Sequence, residues 1–139
     1  MGTKHLAVRL LLGLLIVLLV SACGAKPELD SISGDQLAGL IARGQAPLIL
    51  DVRTAPEFDA GHIPGAVNIP HTELAARLAE LGADQSREIV VHCKSGRRAT
   101  MAEDILRAAG FNNLRRLQGD MDGWQAAGRP VQTIQKNDS

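Results

Sequence analysis

The chain has no tyrosine, two phenylalanines and one tryptophan in 139 residues. Phe58, Phe111 and Trp124 are its whole aromatic complement. It therefore lacks a platform of rings on which nucleotide bases could stack, and its core must be aliphatic. Charge of one sign is lacking too: 15 Lys and Arg face 15 Asp and Glu. With no basic surplus, nucleic acid is not an expected partner. Cys23 and Cys93 are the only cysteines, too few for a disulfide framework or a structural zinc site. His62, His71 and His92 show no metal-ligand spacing, so neither a metal nor another cofactor is expected. No solenoid-length repeat or low-complexity tract is present.

The one long apolar run lies at the N-terminus. Lys4, His5 and Arg9 lead into Leu10 to Val20, almost wholly apolar. That run is short for a spanning helix and suits a signal-peptide h-region. Val20-Ser21-Ala22-Cys23 resembles a bacterial lipobox, in which small residues precede a cysteine that is lipidated on sulfur and becomes the mature N-terminus. Residues 1–22 are thus expected to be a lipoprotein-type signal peptide. The alternatives are an ordinary signal peptide cleaved nearby or an uncleaved anchor. Gly24 after the cysteine leans toward the outer membrane under enterobacterial-type sorting. The expectation is an exported lipoprotein, anchored through several acyl chains on Cys23 and facing the periplasm or the cell exterior. Cys93 would then be a lone free thiol in an oxidising compartment, which argues for a functional role.

Residues 23–30 read as a lipidated tether, 31–132 as one compact domain and 133–139 as a disordered tail. Ile32 opens a short strand. Ser33 with Gln36 makes a capping-box pattern, followed by the stripe Leu37, Leu40, Ile41 and a stop at Gly44. Leu48 to Val52 suits a buried strand, and Thr54 with Glu57, with Pro56 between them, suggests a second capping box. Gly61 to Gly65 is a loop that leads into a short strand over residues 66–69. Residues 72–81 read as a helix with Leu74, Leu78 and Leu81 on one face. Ile89 to His92 is the central strand. A helix over residues 99–109, striped by Met101, Ile105 and Leu106, ends at Gly110. Leu114 to Leu117 is a last strand, before a short helix around Trp124. Strands alternating with helices at this spacing predict βαβ units and a mainly parallel sheet.

In such folds a site lies outside the carboxyl ends of the strands, and Cys93 stands at one of those ends. The β-branched run before it delivers the thiol to the mouth of a loop, Lys94-Ser95-Gly96-Arg97-Arg98, that runs into the next helix. Three cations and a helix N-terminus both favour thiolate, the nucleophilic form. The plain alternative is a small buried cysteine at a strand end.

Four segments in order carry a family resemblance: Leu50-Asp51-Val52-Arg53 followed by Glu57-Phe58; Gly61-His62-Ile63-Pro64-Gly65-Ala66-Val67-Asn68-Ile69-Pro70; the six-residue loop Cys93 to Arg98 with Gly96; and Gly119-Asp120-Met121-Asp122-Gly123-Trp124. Over about residues 30–130 the chain resembles a single-domain rhodanese (sulfurtransferase) module. With its signal peptide it is most similar to the small periplasmic rhodaneses associated with phage-shock operons, which are typically soluble rather than lipidated. The resemblance implies a three-layer α/β fold with about five sheet strands flanked by helices. It makes Cys93 the sulfur acceptor, loaded as a persulfide by a donor such as thiosulfate and discharged to cyanide in assays or to a thiol, a protein acceptor included, in the cell. Backbone N–H groups from Lys94 to Arg98 would cradle the sulfur and the departing anion, with Gly96 allowing the tight curvature.

Within that cradle Arg98 is expected to bind the donor or brace the loop, Lys94 has even claims to the anion, and Arg97 reads as a rim charge. Ser95 belongs to the same loop. Asp51, Arg53, Glu57 and His62 read as supporting residues. Asp51 would hydrogen-bond the active loop, Arg53 would pair locally with Glu57, and His62 would satisfy backbone groups in a turn. Trp124 reads as a core anchor, with Met101 and Met121 as packing. Two rival functions stand beside sulfur transfer. One is a non-catalytic or persulfide-sensing module. The other is a phosphatase or arsenate reductase, whose signature needs five residues between Cys and Arg. Here four separate Cys93 from Arg98, and Ala99 occupies the Arg position.

Overall fold

Alternate residues along the strands feed two separate cores, and this alternation aims Cys93. In the computed structural model, which describes residues 29–135, the elements are β1 (Asp30–Ile32), α1 (Gly34–Ala42), β2 (Leu48–Asp51), α2 (Ala55–Ala60), β3 (Val67–Asn68), α3 (Leu74–Arg77) continued by a 3-10 turn (Leu78–Leu81), β4 (Ile89–His92), α4 (Arg97–Ala108), β5 (Leu114–Leu117) and α5 (Asp120–Ala126). The five strands form one sheet in the order β1-β5-β4-β2-β3, and every pairing is parallel. This is the three-layer α/β architecture, with β4 at the centre. The signal segment, Cys23 and the start of the tether lie outside the described residues.

On one face Leu50, Ile89, Val91 and Cys93 pack with Leu74, Leu81, Ala99, Ala102 and Leu106. On the other, Ile32, Ile49, Val90 and Leu117 pack with Leu37, Met121 and Trp124. A two-residue period therefore sends Cys93 toward α4, while Asp51 and His92, direct register partners, point to the opposite side. All four residues of β4 are buried, as a strand covered on both faces requires.

Three expectations are corrected. The helix over residues 72–81 is one α-turn followed by a 3-10 turn. Glu73 at the N-cap makes no side-chain capping bond, and Arg77 leaves helical geometry at φ −115°, ψ 15°. Helix α4 begins at Arg97 rather than Ala99, because Gly96 turns the chain through a left-handed conformation directly before it. Met101 is 51% exposed: α4 buries Ala99, Ala102, Glu103 and Leu106, and Met101 lies off that face. At the chain's far end, the Ile134 N–H donates to Asp59 O at 2.9 Å, inside the segment expected to be a free tail.

Candidate active site

Cys93 is buried, with 1% of its surface exposed, and several backbone groups around it are held by hydrogen bonds. Its Sγ accepts the Gly96 N–H at 3.0 Å, and its own N–H donates to Asp120 Oδ1 at 2.8 Å. The first turn of α5 closes over the loop from the other side: Met121 N–H donates to Cys93 O and Asp122 N–H to Lys94 O, both at 3.0 Å. At the loop's exit, Thr100 N–H donates to Gly96 O at 3.1 Å. Gly96 has φ +111°, a conformation open only to glycine at low cost. A Cβ there would lie 3.2 Å from both Arg116 Nη1 and Asp120 Oδ2. The turn that puts an N–H on the sulfur thus requires Gly96 twice, for its dihedral and for its missing side chain.

Two of the three loop cations are paired. Lys94 Nζ meets Asp122 Oδ1 and Oδ2 at 2.9 and 3.1 Å on the surface. Arg98 makes a two-pronged pair with Glu57, at 2.7 and 2.9 Å. Glu57 also accepts from Thr54 N and Thr54 Oγ1 at 2.9 and 2.7 Å, so one carboxylate both caps α2 and holds α4. The hydrogen bond from Arg98 keeps the Glu57 carboxyl far below the usual carboxylate range, against the opposing effect of burial. The Glu57 bond in turn raises Arg98 above its ordinary value, with the nearby Cys93 sulfur adding in the same direction. Ser95 and Arg97 are exposed at the rim.

Arg53 does not pair with Glu57. It is buried against Asp51, with contacts of 3.0, 3.1 and 2.6 Å, and donates to Gly61 O at 2.9 Å. The physical reason is desolvation: two buried charges at the end of β2 need each other, which leaves Glu57 to the less buried Arg98. Asp51 makes no bond to the loop. Its Oδ2 also lies 3.8 Å from Nε2 of His92, its register partner on β4. His62 Nδ1 meets Phe58 O at 2.8 Å, and the His62 ring stacks on Phe58 at 3.8 Å. Trp124 is buried and donates Nε1–H to Pro130 O at 2.8 Å. Met121 is buried beside it in the same core.

Two residues that sequence reasoning did not single out complete the site. Asp120 takes the loop-holding role expected of Asp51, at φ +52° and 5% exposure. Arg116 on β5 binds Glu103 through Nε and Thr100 Oγ1 through Nη2 at 2.8 Å. Burial works most strongly against its charge, but Glu103, Asp120 and Cys93 together outweigh it, so Arg116 sits above its ordinary value. A signal existed for Asp120, an acid directly after Gly119 at a helix start. None existed for Arg116, one of two arginines in a four-residue strand. His92 is fully buried at the end of β4, on the opposite face of the sheet from the thiol. Its Nδ1 faces Cys93 O at 3.2 Å, its Nε2 has no hydrogen-bond partner, and desolvation pushes its pKa down. A cleft of about 200 Å³ opens beside the loop between Arg53, Glu57, Lys94 and Asp122. A larger groove of about 600 Å³ lies at the other end of the sheet, between Asp30, Arg107 and Phe111, away from the thiol.

Comparison with known proteins agrees with this arrangement. The family model described as rhodanese-like domain matches residues 33–127. The HTH-type transcriptional regulator Rv0324 of Mycobacterium tuberculosis is 45% identical over 107 residues, covering 76% of this chain but only 45% of the regulator. Thiosulfate:glutathione sulfurtransferase of Homo sapiens is 33% identical over 106 residues, covering 68% of this chain and 91% of that protein. Among solved structures, the Alr3790 protein from Anabaena sp. superposes with a TM-score of 0.67 at 33% identity, covering 74% of this chain and 82% of that one. With five parallel strands in the same kind of sheet and a match across most of its described residues, the chain belongs to the rhodanese-like domain family.

Proposed function

We propose that this protein is a sulfurtransferase that carries sulfane sulfur as a persulfide on Cys93. The Cys93 thiolate attacks the outer sulfur of a donor such as thiosulfate. A Cys93 S–S bond forms, the donor S–S bond breaks, and sulfite leaves with the bonding electron pair. A thiolate or cyanide acceptor then attacks the terminal sulfur, and the pair returns to Cys93 as thiolate. The observation that carries the reading is the Gly96 N–H held on Sγ at 3.0 Å, in a turn whose Cys93 N–H, Cys93 O and Lys94 O are fixed by the first turn of α5. Such a turn stabilises negative sulfur without a general base. Relatives named as sulfurtransferases support the same chemistry.

The test is thiocyanate formation from thiosulfate and cyanide by the full chain, beside Cys93→Ser. Turnover that disappears in the variant is expected, and equal turnover in both would overturn the reading. A second reading, a sulfane-sulfur sensing module, is favoured by the likeness to a transcriptional regulator. It predicts persulfide formation on Cys93 without acceptor turnover. The phosphatase reading has less support, since Arg98 is engaged by Glu57 and Ala99 is buried. Export and anchoring through Cys23 remain part of the proposal. Labelled fatty acid should enter the expressed protein and be absent from Cys23→Ala, and equal labelling would refute it.

A further inference from the structure

The sequence offers an anionic donor a basic loop, yet the folded loop has no surplus of positive charge. Four cations belong to the loop or lie against it: Lys94, Arg97, Arg98 and Arg116. Four carboxylates sit among them: Asp122 on Lys94, Glu57 on Arg98, Glu103 on Arg116, and Asp120. His92, on the opposite face of β4, is kept neutral by burial, and Asp51 and Arg53 at the end of β2 cancel each other. Asp120 decides the balance. It is buried, bonded to the N–H of Cys93 itself, and its second oxygen sits with Arg116 Nη1 against Gly96, each 3.2 Å from the Cβ position there. Arg116 is held in place from the far side by Glu103 and Thr100, so the two opposite charges are fixed beneath the turn that carries the sulfur.

We infer that Asp120 and Arg116 form a charge pair that sets how Cys93 discriminates between anionic and neutral partners. Asp120 holds the site near neutrality, so that it takes donors and acceptors of low charge, organic persulfides and neutral sulfane compounds, more readily relative to a dianion than a bare basic loop would. The inference rests on the reading of Cys93 as the reacting sulfur. Its mechanism is electrostatic. A fixed unit charge a few ångströms from a partly screened reacting atom changes the approach of a singly charged partner by about tenfold and leaves a neutral one unaffected.

Two alkylating agents of nearly equal shape, iodoacetate and iodoacetamide, differ by that single charge. The ratio of their rates on Cys93, followed by the mass of the Cys93 peptide from the full chain, cancels thiolate fraction and steric access. Asp120→Asn keeps an acceptor oxygen for the Cys93 N–H and tolerates a positive φ. It should raise the iodoacetate:iodoacetamide ratio about tenfold. The double variant Glu103→Gln/Arg116→Gln removes the positive charge that lies against Gly96 together with its Glu103 partner, leaves Asp120 bonded to the Cys93 N–H as the charge nearest the turn, and should lower the ratio severalfold. Should Asp120→Asn fail to fold, the double variant alone decides. A purely structural role for Asp120 would change both rates by one factor, and an unmoved ratio overturns the inference. Since alkylation requires no sulfur transfer, an unmoved ratio in a chain that still makes thiocyanate refutes this inference alone. A shifted ratio in a chain that makes none refutes the sulfurtransferase reading.

Discussion

Replacing Glu57 by Gln removes one carboxylate from two elements at once. The Arg98–Glu57 pair is two-pronged, at 2.7 and 2.9 Å, and charge-assisted bonds of this kind are individually strong. With 33% of the Glu57 side chain and 24% of Arg98 exposed, water screens much of that strength, so the coupling between them should be about 1–2 kcal/mol. Two bonds from Thr54 at the α2 N-cap weaken in the same variant, adding about 0.5–1 kcal/mol. Urea denaturation of the full chain, Glu57→Gln, Arg98→Met and the double variant separates the pair from the cap. The pH dependence gives a second signature. Glu57 titrates near 4.5 when unfolded and well below that when folded, chiefly through the Arg98 hydrogen bond. Its contribution is therefore complete above about 4.5 and is lost as pH falls below that value, because the unfolded chain takes up the proton first. Glu57→Gln should flatten the stability profile in that acid window. A coupling below about 0.3 kcal/mol, at the floor for exposed pairs, or an unchanged acid slope would refute the reasoning.

Gly96→Ala should destabilise the domain by about 2–4 kcal/mol in chemical denaturation, combining left-handed strain with a Cβ driven against Arg116 and Asp120; a change under about 0.5 kcal/mol would contradict the geometry. His92 stays neutral in the fold because burial lowers its pKa, whereas the unfolded ring gains a proton below about 6.5. Stability should thus fall as pH drops from 6.5, by up to about 1.4 kcal/mol per pH unit, and His92→Phe should remove that slope; an identical slope in the variant would count against it. Trp124→Phe loses the bond to Pro130 O and some packing, for about 1–2 kcal/mol, read as a lower urea midpoint; an unchanged midpoint would show that the C-terminal segment is not held there.

Local patterns in the chain were legible because their causes are local. Ser33 with Gln36 and Thr54 with Glu57 both form the capping boxes that their three-residue spacing predicts. Short apolar runs became buried strands, and period-two alternation placed Cys93 on the face toward α4. Partners across the fold were not legible. Arg98 reaches Glu57 over 41 residues and Cys93 reaches Asp120 over 27, so a pairing rule built on neighbours gave Glu57 to Arg53 and the loop to Asp51. Burial then reassigned both: Asp51 and Arg53 could not be desolvated apart. Met101 was misplaced for a different reason. Helical periodicity weights large apolar residues, and while Leu106 and Ile105 of that stripe do pack on the core, Ala99 and Ala102 fill the place given to Met101.

The central claim is that sulfur resides on Cys93 between two half-reactions. Mass spectrometry of the full chain after incubation with thiosulfate, without an acceptor, tests it most directly. The account predicts one added sulfur atom on the Cys93 peptide that is removed by cyanide or a thiol and is absent from Cys93→Ser. An unmodified Cys93 in folded protein that still forms thiocyanate, or a sulfur adduct that survives in Cys93→Ser, would contradict it.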